Sequence, residues 1–260
     1  MSDTREEVLA GGNMEPVVRV GDTVRRATGR WTPAVHEFLR RCEAAGIAEA
    51  PRVLGTDERG REVLSFIPGT PMTGLAPERL WAPALLRASA RLLRRLHDAS
   101  TPARTIDGPW RLGGHSPAEV ICHNDFAPYN LIMRDGELVG VIDFDMASPG
   151  PRLWDIAYLA YRLVPFAEDA SGFDPARDGD RERRLADLIG AYGADHGHDQ
   201  VRLAAADRVT ELAAFTEQRA REGGRRDLLD HAAMYRRDAA RLREQCGATI
   251  RASRDASGRR

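Results

Sequence analysis

His123-Asn124-Asp125-Phe126-Ala127-Pro128-Tyr129-Asn130 sets a histidine, an aspartate and an asparagine in the spacing H-x-D-x-x-x-x-N, and Val141-Ile142-Asp143-Phe144-Asp145 follows with D-x-D. These residue types offer hard oxygens and a proton acceptor. A carboxylate from Asp143 and an amide oxygen from Asn130 suit Mg²⁺, a cation that keeps several waters and also takes phosphate oxygens. Asp145 is expected to reach a second metal or to hold the first through water. Asp125, on the same loop as Asn130, projects toward an acceptor, where it would orient a hydroxyl and take its proton late in a loose transition state. Phosphoryl transfer asks for little beyond holding donor, metal and acceptor in line while phosphate charge is neutralised. Either motif alone is commonplace, because Asp and Asn in loops usually serve turn geometry. Together, in this order, they make a constellation. His123 is expected to hydrogen-bond the loop backbone rather than move protons, and His97 to pack or cap.

Short apolar runs must position these groups: EVIC, NLIM and LVGVID, with Asp135-Gly136 as the hairpin turn between the last two. Upstream, VVRVGDTVRRA (17–27) alternates around Gly21-Asp22 and reads as a hairpin. Thr32-Pro33 supplies an N-cap and a first-turn proline for a helix carrying Val35, Phe38, Leu39 and Cys42, which Gly46 stops. PRVLG (51–55) and EVLSFI (62–67) read as two more strands before Pro68-Gly69. From Pro77 onward the texture is helical. Leu85, Ser89, Leu92, Leu93 and Leu96 share one face, and further helices are predicted near 153–163, 184–193, 201–222 and 225–245.

The two motifs, together with Leu96-His97, PRVLG, the FIPG hinge and Trp154-Asp155, resemble the phosphotransferase family that includes the aminoglycoside and choline kinases, relatives of the protein kinases. The resemblance implies an α+β, two-lobed protein-kinase-like fold with a small strand-rich N-lobe and a larger, mainly helical C-lobe. Residues 13–67 would form the N-lobe, with nucleotide-binding strands and one helix. Residues 68–250 would form the C-lobe with catalytic loop and acceptor site, and 251–260 a disordered tail. It further implies ATP, with GTP not distinguished, and Mg²⁺. The γ-phosphate would pass to a hydroxyl of a small molecule, an aminoglycoside-like antibiotic or a metabolite. Adenine is expected at the backbone of Ser65, Phe66 and Ile67, and Asp155 is expected to brace the catalytic loop.

The chain departs from that pattern in its small lobe. All 38 basic residues are arginine. The lysine that kinase-like folds place on the third strand is therefore missing, along with Schiff-base chemistry and any P-loop ending in G-K-[ST]. Arg26 in TVRR is the candidate replacement and Arg25 the fallback, since a guanidinium grips phosphate through two nitrogens and keeps its charge. The partner glutamate is not placed, because Glu37 flanks the apolar face of its helix. No G-x-G-x-x-G occurs; Gly11-Gly12-Asn13 and Gly21-Asp22 are weak phosphate-loop signals, and the small lobe looks trimmed. A second reading follows, a catalytically weak kinase-like binding or immunity protein.

Composition sets the outer bounds. At 260 residues, net charge −1 and 42% hydrophobic content, the chain gives no electrostatic mandate for nucleic acid or membrane. No apolar run approaches a spanning length, and MSDTREEVLAGG lacks the layout of a secretory signal, so a cytoplasmic protein is expected. Cys42, Cys122 and Cys246 are odd in number and widely spaced, which reads as ordinary thiols. A metallohydrolase lacks its H-x-H or H-E-x-x-H. The acidic stretch around Glu168, Asp169, Asp174, Asp178, Asp180 and Glu182 reads as a mobile solvated loop or as a lid for an amine-bearing acceptor.

Overall fold

The computed structural model describes residues 6–9, 17–101 and 106–257. The Gly11-Gly12-Asn13 glycines, the N-lobe start at residue 13 and the last three tail residues lie outside them. Ten strands and eight helices are described: β1 (Glu7–Leu9), β2 (Val17–Val20), β3 (Thr23–Arg26), α1 (Thr32–Ala44), β4 (Val53–Thr56), β5 (Glu62–Ser65), β6 (Thr70–Pro71), α2 (Pro77–Leu80), α3 (Pro83–Ala99), β7 (Val120–Cys122), β8 (Leu131–Arg134), β9 (Glu137–Val141), β10 (Ser148–Gly150), α4 (Arg152–Leu163), α5 (Pro175–Asp178), α6 (Arg181–Tyr192), α7 (His198–Gly223) and α8 (Asp227–Ser257). Two compact units emerge, Met1–Leu75 with Leu92–Arg152, and Ala76–Arg91 with Leu153–Arg260. The division expected at residue 67 follows secondary-structure content, and the compact units are not drawn there. The catalytic-loop segment groups with the N-terminal strands.

In the first unit β1–β5 form an antiparallel sheet ordered β1-β2-β3-β5-β4. Gly21 reverses the β2–β3 hairpin at φ 58°, a conformation that costs glycine little. Asp135 and Gly136, at φ 51° and 88°, make the two-residue turn between β8 and β9 that the sequence predicts. Helix α1 buries Val35, Phe38, Leu39 and Cys42 as its spacing requires. Its cap differs from expectation: Trp31 stands at the N-cap without a side-chain capping bond, and Thr32 is already helical. The Thr32 hydroxyl instead accepts the Gly29 N–H at 2.9 Å, steadying the turn before the helix. Burial pushes the Cys42 thiol up to about 12, so it is an inert core residue.

The second unit is built on helices. Arg184 is 1% exposed, and its guanidinium donates to the carbonyls of Leu163 at 2.7 Å, Trp81 at 2.6 Å and Asp178 at 3.0 Å. Burial draws it down to about 10, yet it remains charged near neutrality and ties three chain segments together. Helix α6 starts earlier than its apolar pattern because Asp180 caps it, accepting the Arg183 N–H at 2.9 Å. Gly193 ends it in the left-handed region. Helix α8 runs on to Ser257, into the segment read as a tail.

The acidic stretch is held by ion pairs and helix caps. Glu168 pairs with Arg237, Asp169 with Arg162, Asp178 with Arg177, and Glu182 with Arg202. Asp174 and Asp180 cap α5 and α6. Its carboxylates are thus bonded to arginines and backbone amides, while those of Glu168, Asp169 and Glu182 stay partly exposed. No helix among the described residues is long and apolar enough to cross a membrane.

Candidate functional site

Strand β7 delivers the chain into the 123–130 loop, and a short 3₁₀ turn over Pro128–Asn130 returns it to β8. His123 sits at the root of this loop. Its Nδ1 accepts the Asp125 N–H at 3.2 Å, which leaves the proton on Nε2 to be donated to the Ile142 carbonyl at 3.1 Å. A neutral imidazole packed against Phe126 and Phe144 thus joins the loop to the residue before Asp143. This matches the backbone-bonding role expected from sequence. Asn124 adopts φ 63° and donates to the Met146 carbonyl and the Ser148 hydroxyl, each at 2.8 Å.

Asp125 is held by both oxygens. The Tyr129 hydroxyl donates to Oδ1, and Asn130 Nδ2 donates to Oδ2 at 2.9 Å and to the Asp125 carbonyl at 2.9 Å. The Asn130 main-chain carbonyl in turn accepts the Ile142 N–H at 2.9 Å, so Asp143 begins one peptide beyond a bond from the loop. The loop that carries Asp125 and Asn130 is thereby tied to the strand end that precedes Asp143. Asp143 adopts φ 64° with a half-exposed carboxylate.

Arg26 closes the cluster from the sheet. Its Nε donates to Glu62 at 2.5 Å, one terminal nitrogen reaches Asp143 at 3.3 Å, and the other reaches Asp145 at 2.8 Å. Arg25, the fallback, lies 3.6 Å from Asp57 instead. Glu62 is the acidic partner that sequence reasoning missed, and it comes from a strand, not a helix. It stands opposite Arg26 in the β3–β5 register and accepts from His36 of α1 on its other oxygen at 2.7 Å. Glu37 only pairs along its own helix with Arg41. Burial opposes ionisation of Glu62, but the His36 hydrogen bond and the Arg26 guanidinium outweigh it and hold the carboxyl below its usual range.

That shift fixes a pH dependence. A carboxylate with a depressed folded pKa stabilises the fold fully above its unfolded value and loses that contribution as pH falls through the lower, folded value. Glu62→Gln is therefore expected to melt lower than wild type at neutral pH, by roughly 1–3 kcal/mol. The difference should shrink as both are acidified below about pH 4.5 in thermal melts. A gap that is constant from pH 7 to pH 3 would show that the Glu62 charge is not the stabilising element.

Asp145 meets two guanidiniums, since Arg111 takes its second oxygen at 3.2 Å while lying 4.4 Å from the centre of the Trp31 ring. The Trp31 side chain also hydrogen-bonds Asp145. Burial lifts Asp145 above the usual carboxylate range; Arg26 pulls the other way, and Asp143 and Glu62 push with burial. At the hinge, the Ser65 amide donates to the Arg52 carbonyl and the Phe66 amide to the Asp22 carbonyl, both at 2.9 Å. Of the three hinge amides, only that of Ile67 forms no backbone bond among the described residues. Ile67 packs on Gly140 so closely that a Cβ there would lie 2.6 Å from its methyl.

The donor set fits a hard divalent cation. The Asn130 nitrogen is spent on Asp125, which leaves its amide oxygen and the half-exposed Asp143 carboxylate as the candidate ligand atoms.

The architecture is a protein-kinase-like fold. A choline/ethanolamine kinase family protein from Mesorhizobium loti superposes with a TM-score of 0.61 at 20% identity, covering 92% of this chain and 87% of that one. Choline kinase from Cryptosporidium parvum gives 0.63 at 14% identity over 94% and 90%. Aminoglycoside phosphotransferase APH(3'')-Id from Streptomyces rimosus gives 0.52 at 18% identity over 78% and 91%. In sequence, residues 107–203 match the phosphotransferase enzyme family, a span that holds both motifs. The trifolitoxin immunity protein of Rhizobium leguminosarum bv. trifolii is 40% identical over 151 residues, 55% of this chain and 56% of that protein. The chain thus matches just over half the length of this curated relative.

Proposed function

We propose that the protein is a Mg²⁺- and ATP-dependent phosphotransferase that moves the γ-phosphate to a hydroxyl of a small molecule in the cytoplasm. The bonded chain from Asp125 through Asn130 and Ile142 to Asp143 carries this reading. Such a cluster brings a proton acceptor and a pair of hard-oxygen ligands to one place, which is what in-line transfer needs. Asn130 and Asp143 would hold Mg²⁺, which when bound neutralises phosphate charge.

Asp125 orients the acceptor. Its Oδ2 is fixed by Asn130, and its Oδ1 reaches the surface through the exposed Tyr129, so the acceptor hydroxyl would donate to Oδ1 as it attacks. Arg26 supplies the fixed positive charge for the phosphates, braced by Glu62 in the place of a helix glutamate. Asp145, with both oxygens on arginines, serves to aim Arg26 and Arg111 rather than to ligate metal. Nucleotide would lie against the Ser65–Ile67 backbone.

Labelled ATP, Mg²⁺ and a panel of hydroxylated antibiotics and metabolites should give label transfer that fails without the metal, with GTP run in parallel. Mg²⁺–ATP at a hundred times its dissociation constant should stabilise the protein by about 2.7 kcal/mol in thermal shift. A second reading, a kinase-like binding or immunity protein, draws on the immunity relative and on the ion pairs from Arg26 to Asp143 and Asp145, which a triphosphate must loosen. Absence of any shift with ATP, with or without Mg²⁺, would favour that reading.

A further inference from the structure

The helical unit contains a cavity of about 440 Å³ lined chiefly by Phe166, Ala167, Glu168, Arg181, Arg241 and Leu242. None of these residues takes part in the phosphotransfer reading. Phe166, Ala167 and Leu242 supply the smaller, apolar part of a mainly polar lining. Its other side carries two guanidiniums. Arg241 is tied to Asp238 and to the Phe166 carbonyl. Arg181 donates through Nε to the Pro165 carbonyl at 2.9 Å and lies 5.2 Å from the centre of the Phe173 ring.

No carboxylate among the described residues forms an ion pair with Arg181. Its neighbours are spent elsewhere: Asp180 on the α6 cap, Glu182 on Arg202, Glu168 on Arg237. Arg181 is an exposed residue, and partial desolvation and then the charge of Arg241 draw it below the usual arginine range. It also occupies the first turn of α6, where the helix dipole already favours negative charge. The charged residues of the lining are Arg181, Arg241 and Glu168, which leaves one positive charge in excess.

We propose that this cavity binds a small organic monocarboxylate, its carboxylate bridged by Arg181 and Arg241 and its apolar body laid against Phe166 and Leu242. One negative charge balances the excess, and planar guanidiniums match carboxylate oxygens well. The volume is that of a small-molecule site. A phosphate dianion would overshoot the charge and leave the apolar side uncovered. The assignment stands apart from the phosphotransfer reading and does not depend on it.

Benzoate is the probe, titrated by calorimetry into the full chain, with benzyl alcohol and inorganic phosphate as controls. Saturable one-to-one binding of benzoate is expected, weakening as salt rises, with benzyl alcohol and phosphate each at least about tenfold weaker. Arg181→Gln should lose at least about tenfold in benzoate affinity, while Arg181→Lys keeps part of it. Thermal melts of both variants check folding, and the lysine variant, which keeps the charge, carries the test if the glutamine variant is unstable. Equal benzoate affinity in wild type and Arg181→Gln, tighter binding to Arg181→Lys than to wild type, phosphate binding as tightly as benzoate, or no saturable binding would each overturn the proposal.

Discussion

Asp125→Asn should retain the fold and lose about 10²–10⁴ in kcat, with the KM for nucleotide little changed. The amide keeps the shape of the side chain but cannot accept a hydroxyl proton. Its position is set by neighbours that the substitution leaves in place: the His123 bond to the backbone N–H at 3.2 Å and the Asn130 bond to the carbonyl at 2.9 Å. Stability should therefore fall by only about 1 kcal/mol, the worth of one altered side-chain hydrogen bond. Steady-state kinetics with a competent acceptor would decide it. A variant within tenfold of wild type would remove Asp125 from the role of proton acceptor.

The residues that make such a test possible were legible because they lie close together along the chain. H-x-D-x-x-x-x-N is a local pattern, and the Asp135-Gly136 turn that returns β9 beside β8 is a two-residue signal with a defined backbone requirement. Arg26 could be nominated by strand alternation alone. Its partner could not, because Glu62 is 36 residues away and reaches Arg26 through cross-strand register, which one sequence does not reveal. The cap of α1 was misplaced by one residue for a similar reason: Thr32 looks like a cap, but Gly29 uses its hydroxyl first. Strands β7 and β10 pair over three residues, too short for a periodic signal. The acidic stretch misled in another way. Composition showed an excess of negative side chains there, whereas the arginines that neutralise Glu168 and Glu182 come from distant helices.

Arg184→Met should cost roughly 3–6 kcal/mol, a large part of the stability of an ordinary domain. Methionine fills much of the same space but donates nothing, so the carbonyls of Trp81, Leu163 and Asp178 would be left buried without this donor. Each orphaned acceptor costs about 1–3 kcal/mol. The desolvation penalty of the guanidinium itself, visible in its lowered pKa, is recovered and offsets part of the loss. Urea denaturation monitored by tryptophan fluorescence should show a lower midpoint, with Trp81 reporting from the affected segment. A midpoint equal to wild type would mean that those carbonyls find other donors, and that Arg184 is not the tie between the three segments.

Asn124 and Asp143 both hold left-handed backbone, one beside Asp125 and the other at the start of D-x-D. Asn and Asp tolerate that region better than most residues, yet glycine would sit there with less strain. Glycine at either corner would relax the backbone at the cost of that corner's side-chain bonds. Asn124 would lose its donors to Met146 and Ser148, and Asp143 its ion pair with Arg26.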